Sequence, residues 1–331
     1  MLLKNSNFFL NRFSKFLCFS TLFLIFAGGM VTSTNSGLSV PDWPLSYGMI
    51  FPPMVGGVFY EHGHRMVASF VGFLTLVLTI ALWWVERRNW IKFLALSALG
   101  AVILQGILGG LTVLFFLPKP ISIAHGILAQ TFFVLTIVLA YGLSQERRER
   151  QTEKENVPSA VLRLIFLCAF LIYIQLILGA LMRHTGSGLA IPDFPTMGGK
   201  YLPTFDPKML SYINNWRFDH DLPPVTFIQV GIHLFHRLWA LFIVLAVCCL
   251  NYKIFKSSSQ DKRIFKALCY LDIFLFFQLA LGIFTVLSGK APVITSLHVV
   301  TGASTLGICV LMFLRAAPLS LQKMKENVPY F

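Results

Sequence analysis

Eight long apolar runs set the terms on which this chain can fold. They lie near residues 15–34, 63–85, 92–117, 121–143, 160–182, 229–250, 266–288 and 293–314. At a rise of ~1.5 Å per residue, each is long enough to cross ~30 Å of hydrocarbon as a helix. In lipid the backbone must satisfy its own N–H and C=O groups, and these runs lack the alternation of barrel strands, so eight transmembrane helices are expected. The fold class is therefore an all-α integral membrane protein. Hydrophobic residues make up 56% of the chain and charged residues only 12%, with a mean hydropathy of +0.72, which excludes a water-soluble globular domain.

A formal charge of +13, from 27 Lys and Arg against 14 Asp and Glu, would in a soluble chain point to nucleic acid. The positions of the cations point to membrane insertion instead. Outside the N-terminus, the tail and the connections near 87–92, 145–163 and 253–266 stand only Arg65, Lys119, Arg183, Lys200, Lys208, Arg217, Arg237 and Lys290, so 19 of the 27 lie on one side. Both termini are expected to be cytoplasmic, and nucleic acid is not expected as a partner. The six cysteines (Cys18, Cys168, Cys248, Cys249, Cys269 and Cys309) all fall in apolar segments without metal-ligand spacing, and read as packing residues.

The chain repeats itself. Ser36-Gly37-Leu38-Ser39-Val40-Pro41-Asp42-Trp43-Pro44 after the first run returns as Ser187-Gly188-Leu189-Ala190-Ile191-Pro192-Asp193-Phe194-Pro195 after the fifth. His64-Arg65 matches His236-Arg237, Gln105 and Gly109 match Gln278 and Gly282, and His125 matches His298. Two pseudo-repeated four-helix bundles are expected, residues 1–150 and 151–331, related by an axis along the membrane normal and joined by the charged stretch from Gln145 to Pro158. The first run, which follows Lys4, Arg12 and Lys15 and closes at Ala27-Gly28-Gly29, has the outline of a cleaved signal peptide. Its copy in the fifth helix argues that it stays as a helix.

His64, His125, His236 and His298 stand near the outer ends of the even helices. Ionisable residues within spans are costly in lipid and tend to face an interior site. Neutral imidazole is an axial ligand for haem iron, and two facing helices can offer one from each side of a flat macrocycle. Pairing within halves puts His64 with His125 and His236 with His298, at one depth near the outer face. The halves differ three residues earlier, where Glu61 precedes His64 but His233 precedes His236. Residues three apart share a helix face, so only the N-terminal half sets a carboxylate beside its pair. Such a group can shuttle protons, stabilise positive charge or attack an electron-poor carbon.

Arg65 and Arg237 are candidates to pair with haem propionates, and snorkelling to the interface accounts for them nearly as well. The Gln-xxx-Gly steps at Gln105, Gln175 and Gln278 read as close helix packing. Asp42 and Asp193, bracketed by prolines, read as turn-fixing residues. His62, His184 and His220 have no like partner in the repeat and read as loop histidines. The outer loops 35–62 and 183–228 are long enough to cover a site or simply to connect spans.

In order along the chain, Gly37-Leu38-Ser39-Val40-Pro41-Asp42-Trp43-Pro44, Glu61-xx-His64-Arg65, His125-Gly126, His236-Arg237 and His298 give it a resemblance to the haem A synthase family over nearly its whole length. The resemblance implies oxidation of a methyl group of haem O to the formyl group of haem A. It implies haem b as a prosthetic group on His236 and His298. It implies substrate haem at His64 and His125, with Glu61 as the catalytic acidic residue; Arg237 and Arg65 are the candidate binding residues beside the two haems from the reading above. Haem O and the bilayer are the expected partners, with haem O synthase and cytochrome oxidase subunits as candidates and an electron partner that the sequence does not identify.

Some members of this family carry a cysteine pair in the first outer loop, and residues 35–62 have none. The N-terminus is short and poor in Ser and Arg for a mitochondrial transit peptide, so a bacterial inner membrane is the expected location. Two alternatives use the same histidines: a non-catalytic haem carrier or chaperone, which would not need Glu61, and a quinone-linked b-type cytochrome, which the one-sided histidines disfavour.

Overall fold

The computed structural model describes residues 2–149, 157–256 and 261–317. Among these residues there are ten α-helices and no β-strand. Eight are long and apolar enough to span a bilayer: α1 (Leu2–Ser33), α2 (Gly57–Val85), α3 (Asn89–Leu114), α4 (Lys119–Gly142), α6 (Ser159–His184), α8 (Phe227–Lys256), α9 (Lys262–Leu287) and α10 (Pro292–Ala316). The chain is a multi-pass membrane protein. Two shorter helices, α5 (Gln145–Glu149) and α7 (Pro207–Phe218), were not expected from the apolar runs.

Helix starts follow local chemistry. Pro120, Pro207 and Pro292 fall in first turns, where a missing N–H costs nothing. Asp206 caps α7 by accepting the Met209 N–H at 2.7 Å, and Asp261 caps α9 by accepting the Arg263 N–H at 2.8 Å. Two helices begin well before their apolar runs. α1 starts at Leu2, and Asn11, in its third turn, donates to the Ala140 carbonyl of α4 at 3.2 Å. α2 starts at Gly57, which brings Glu61 and His62 into the helix.

The first four spans close a ring in which α1 and α3 each pack against α2 and α4. α6, α8, α9 and α10 form a second ring, and α1 and α4 meet α6 and α10 between the two. Each ring has its own core. Leu17, Leu78, Leu82, Ile91 and Leu139 fill the first, and Ile165, Cys168, Leu250, Leu268 and Cys309 the second. Ile25, Phe133, Ile137 and Ala303 pack between them. Since lipid is as apolar as these side chains, close packing rather than water exclusion holds the rings together. Cys248, Cys249 and Cys269 depart from the packing expectation, being exposed on the outside of their helices. At the end opposite the long loops, Arg315 grips Glu146 of α5 with bonds of 2.6 and 2.9 Å. Residues 150–156 of the expected linker, and the tail beyond 317 with its cations, lie outside the described residues.

Candidate functional site

The long loops and the N-terminal ends of α2, α4, α8 and α10 share one end of the molecule. Each loop begins with a hydroxyl pair, Thr34 with Ser36 and Thr185 with Ser187, both at 2.7 Å. Each then turns around an aspartate. Asp42 accepts the N–H groups of Tyr47 and Gly48 at 2.7 and 2.8 Å, and Asp193 those of Gly198 and Gly199, both at 2.8 Å. The bond from Gly48, then that from Tyr47, and the charge of Arg65 hold the Asp42 carboxyl below the usual carboxylate range. For Asp193, burial acts in the opposite direction and is outweighed by bonds from Thr196, Gly199 and Gly198.

The arginines that follow the histidines fasten these loops. Arg65 donates to the carbonyls of Asp42 and Leu45 at 2.8 and 2.7 Å, and to Glu61 Oε1 at 2.7 Å. Arg237 donates to the carbonyls of Ile191 and Asp193 at 3.0 Å. Both guanidinium groups are thus engaged by protein carbonyls. Glu61 and His233, both buried, take equivalent positions beneath the loops. Glu61 Oε2 accepts the Val40 N–H at 2.9 Å, and the ring of His233 sits with Nδ1 3.2 Å from the Ile191 nitrogen and Nε2 3.1 Å from Arg237 Nε, of which a neutral imidazole accepts one.

All four imidazoles are half-buried. His64 and His125 lie within electrostatic reach of each other, as do His236 and His298. Each ring rests on a glycine of the span before it. A Cβ on Gly28 of α1 would meet His64 Nε2 at 3.1 Å, and one on Gly109 of α3 would meet His125 Cε1 at 3.5 Å. Gly179 of α6 faces His236 Cε1 at 3.5 Å, and Gly282 of α9 faces His298 Cε1 at 3.1 Å. Three of these glycines belong to the Gln-xxx-Gly steps, and the glutamines also touch the histidine segments. Gln105 Nε2 donates to the His125 carbonyl at 2.9 Å, Gln175 Nε2 to the His236 carbonyl at 3.0 Å, and His298 Nδ1 lies 3.1 Å from the Gln278 carbonyl. Helix packing alone therefore understates these steps, which form the seats of three imidazoles. A donor bond from Nδ1 to a carbonyl fixes a tautomer that leaves Nε2 as a ligand. Among the described residues no group of three or more His, Cys, Asp or Glu side chains is placed to hold a metal ion.

Two of the expected loop histidines lie inside helices. His62 is buried in α2 with Nδ1 2.8 Å from Ser46 Oγ, and its Nε2 has no partner. His184 ends α6 and lies within electrostatic reach of His125. The route is short, since Ala180, one turn earlier, packs at 3.7 Å from the Cβ position of Gly126. Absence of a repeat partner concealed its position. His220 stays in the second loop, stacked on Trp216.

The fold and these residues define a polytopic helical membrane protein with four half-buried imidazoles near two fastened loops and a buried carboxylate beneath the first loop. Residues 11–56 and 55–310 match the model of the COX15-CtaA family, described as cytochrome oxidase assembly protein, and the chain belongs to that family. It is similar to proteins named haem A synthase. It is 28% identical to that of Halalkalibacterium halodurans over 287 residues, covering 83% of this chain and 86% of the relative. It is 28% identical to that of Pelagibacter ubique over 323 residues, covering 85% and 88%, and 28% identical to that of Bacillus licheniformis over 273 residues, covering 81% and 82%.

Proposed function

We propose that this chain is a haem A synthase, oxidising a methyl group of haem O to the formyl group of haem A. The observation that carries the reading is the inequality of two matching positions. Two imidazole pairs lie under similar loops, and only the first has a carboxylate, Glu61, where the second has His233. Substrate haem O is assigned to His64 and His125 in residues 1–150, and haem b to His236 and His298 in residues 151–331.

The donor set supports both assignments. Two imidazoles per site suit an iron that brings its own equatorial ligands. His125 Nδ1 and His236 Nδ1 are buried without partners, and Gly179 and Gly282 leave room for the rings of the second pair. Haem b, when bound, supplies a one-electron redox centre beside the substrate half. Converting a methyl to a formyl group is a four-electron oxidation that adds one oxygen; written as a half-reaction with water it releases four protons, and the four electrons pass to an external acceptor. Glu61, three residues before His64, is assigned as an acceptor for those protons. Arg65 and the Val40 N–H fix its orientation, and a carboxylate oxygen that accepts one bond keeps a second lone pair. Arg65 and Arg237 pin the loops that limit water access.

The substrate's farnesyl tail favours lateral entry from lipid. The distribution of Lys and Arg supports both termini cytoplasmic and the haem sites towards the outer face; the membrane we assign is a bacterial inner membrane. Pigment extracted from membranes that contain this chain and a haem O source tests the proposal. A new formyl-bearing haem is expected. Bound haem without any formyl product would instead make the chain a carrier.

A further inference from the structure

The outer end of the C-terminal half gathers three cations, Arg183, Arg217 and Lys290, around one turn, whereas the matching connection of the N-terminal half carries only Lys119, two residues past Leu117. The stem of Lys290 crosses the Ser187–Leu189 turn, its Cδ 3.3 Å from the Cβ position of Gly188. Arg217, buried, is tied to the same turn by its 3.0 Å bond to the Leu189 carbonyl. Arg183 ends α6 beside them and donates to the Gly29 carbonyl and Ser33 Oγ at 2.6 and 2.5 Å. Ser33 Oγ lies 3.4 Å from Ser296 Oγ, two residues before His298, and Arg183 is within electrostatic reach of His298 itself. Among the described residues none of these three cations forms an ion pair.

The matching positions of the first half are uncharged. Leu117 stands where Lys290 does and crosses the matching turn 3.5 Å from the Cβ position of Gly37; both residues have positive φ, 57° and 68°. Thr32 stands where Arg183 does and returns its hydroxyl to the Gly28 carbonyl at 3.2 Å. Like charges brought together at a membrane boundary without a counter-charge are costly, and a ligand edge bearing two carboxylates offsets that cost.

We propose that Arg183 and Lys290 form a carboxylate-binding rim that grips the propionates of the haem retained in the C-terminal half, and that its absence from the N-terminal half leaves that half free to release its haem. The inference rests on the assignment of haem b to His236 and His298. It explains how two similar imidazole pairs in one chain serve a resident group and a passing one.

The test uses purified full-length protein carrying its haem b, with transfer of haem to excess apomyoglobin as the readout. Lys290→Leu, which installs the N-terminal residue at an exposed position, and Arg183→Thr are each expected to speed haem loss about fivefold, the equivalent of ~1 kcal/mol for a partly exposed charge pair. Both are expected to lower the midpoint potential less than they alter the loss rate. Lys290→Arg is expected to restore slow loss. Unchanged loss in both variants overturns the proposal. So does an effect of Lys290→Leu seen only in vesicles containing phosphatidylglycerol and not in phosphatidylcholine alone, since the cations would then serve lipid headgroups. Failure of the synthase reading is separate, because it shows as missing formyl haem whatever the loss rates.

Discussion

Glu61 and His233 each lie beneath a loop, close to the N–H of Val40 or Ile191, and each contacts an arginine one helical turn later. The chemistry differs although the local contacts match. The Glu61–Arg65 pair compensates its own charge, whereas His233 leaves Arg237 to the loop carbonyls. Glu61→Gln keeps an acceptor for Val40 but loses the ion pair and the proton acceptor. Formyl haem output is expected to fall about a hundredfold or more while haem O accumulates. His233→Gln, which retains an acceptor for Ile191, is expected to leave output within about threefold of the parent, as for a change that mainly affects loop anchoring. Equal losses from the two variants, measured by pigment chromatography, would remove Glu61 from the chemistry.

The glycine seats give a graded prediction. Alanine at Gly28 or Gly282 would press a Cβ to 3.1 Å from an imidazole, whereas at Gly179 the distance is an ordinary 3.5 Å. Gly28→Ala is expected to displace His64 and weaken binding of added haem O, and Gly282→Ala to displace His298 and lower the haem b retained by the purified protein. Gly179→Ala is expected to keep its haem and to melt slightly higher, since alanine favours a helix interior by about 1 kcal/mol over glycine. Haem content per protein, binding of added haem O and melting temperature separate the two groups.

The eight spans were legible because a run of apolar residues is both the signal and the cause of insertion. Their ends were less so. Hydropathy marks where lipid begins, not where helical hydrogen bonding does, so the starts of α1 at Leu2 and α2 at Gly57 escaped it. α7 did leave a signal, the Asp206-Pro207 pair of an N-cap and first-turn proline, within a loop otherwise without periodicity. The four histidines and Glu61 could be picked out by repetition and its one exception. What could not be read was contact across the chain: the arginines' hold on the loop carbonyls, the glycine seats, and the nearness of His184 to His125. These depend on which helix lies beside which.

Acid should loosen the first loop. The folded pKa of Asp42 is depressed, so its contribution is present above the unfolded carboxylate value and is lost as pH falls through the lower folded value. Protection of the Tyr47 and Gly48 amides from hydrogen exchange, corrected for intrinsic rate, is expected to hold at neutral pH and to decline below about pH 4. Asp42→Asn is expected to show weak protection at both extremes. A pH-independent pattern in the parent would mean that the turn stands without its carboxylate.

Adjacent glycines on α3 perform separate tasks, which makes them a sharp internal control. Gly109 faces His125 at a comfortable 3.5 Å, but a Cβ on Gly110 would strike the Trp43 ring at 2.8 Å. Trp43 is part of the loop that Arg65 pins through Asp42 and Leu45 and that presents Val40 to Glu61. The indole is a rigid plane, so Gly110→Ala must turn the whole ring about its χ angles or shift the loop that carries it. The imidazoles sit on different seats and should stay in place. Gly110→Ala is therefore expected to retain its haem but oxidise haem O about tenfold or more slowly, the scale of a misplacement of order 1 Å near a reacting centre. Gly109→Ala is expected to differ little from the parent in either measure. A Gly110→Ala protein with full activity would show that the loop does not position Glu61, and one that loses haem would show that Trp43 supports the histidines directly.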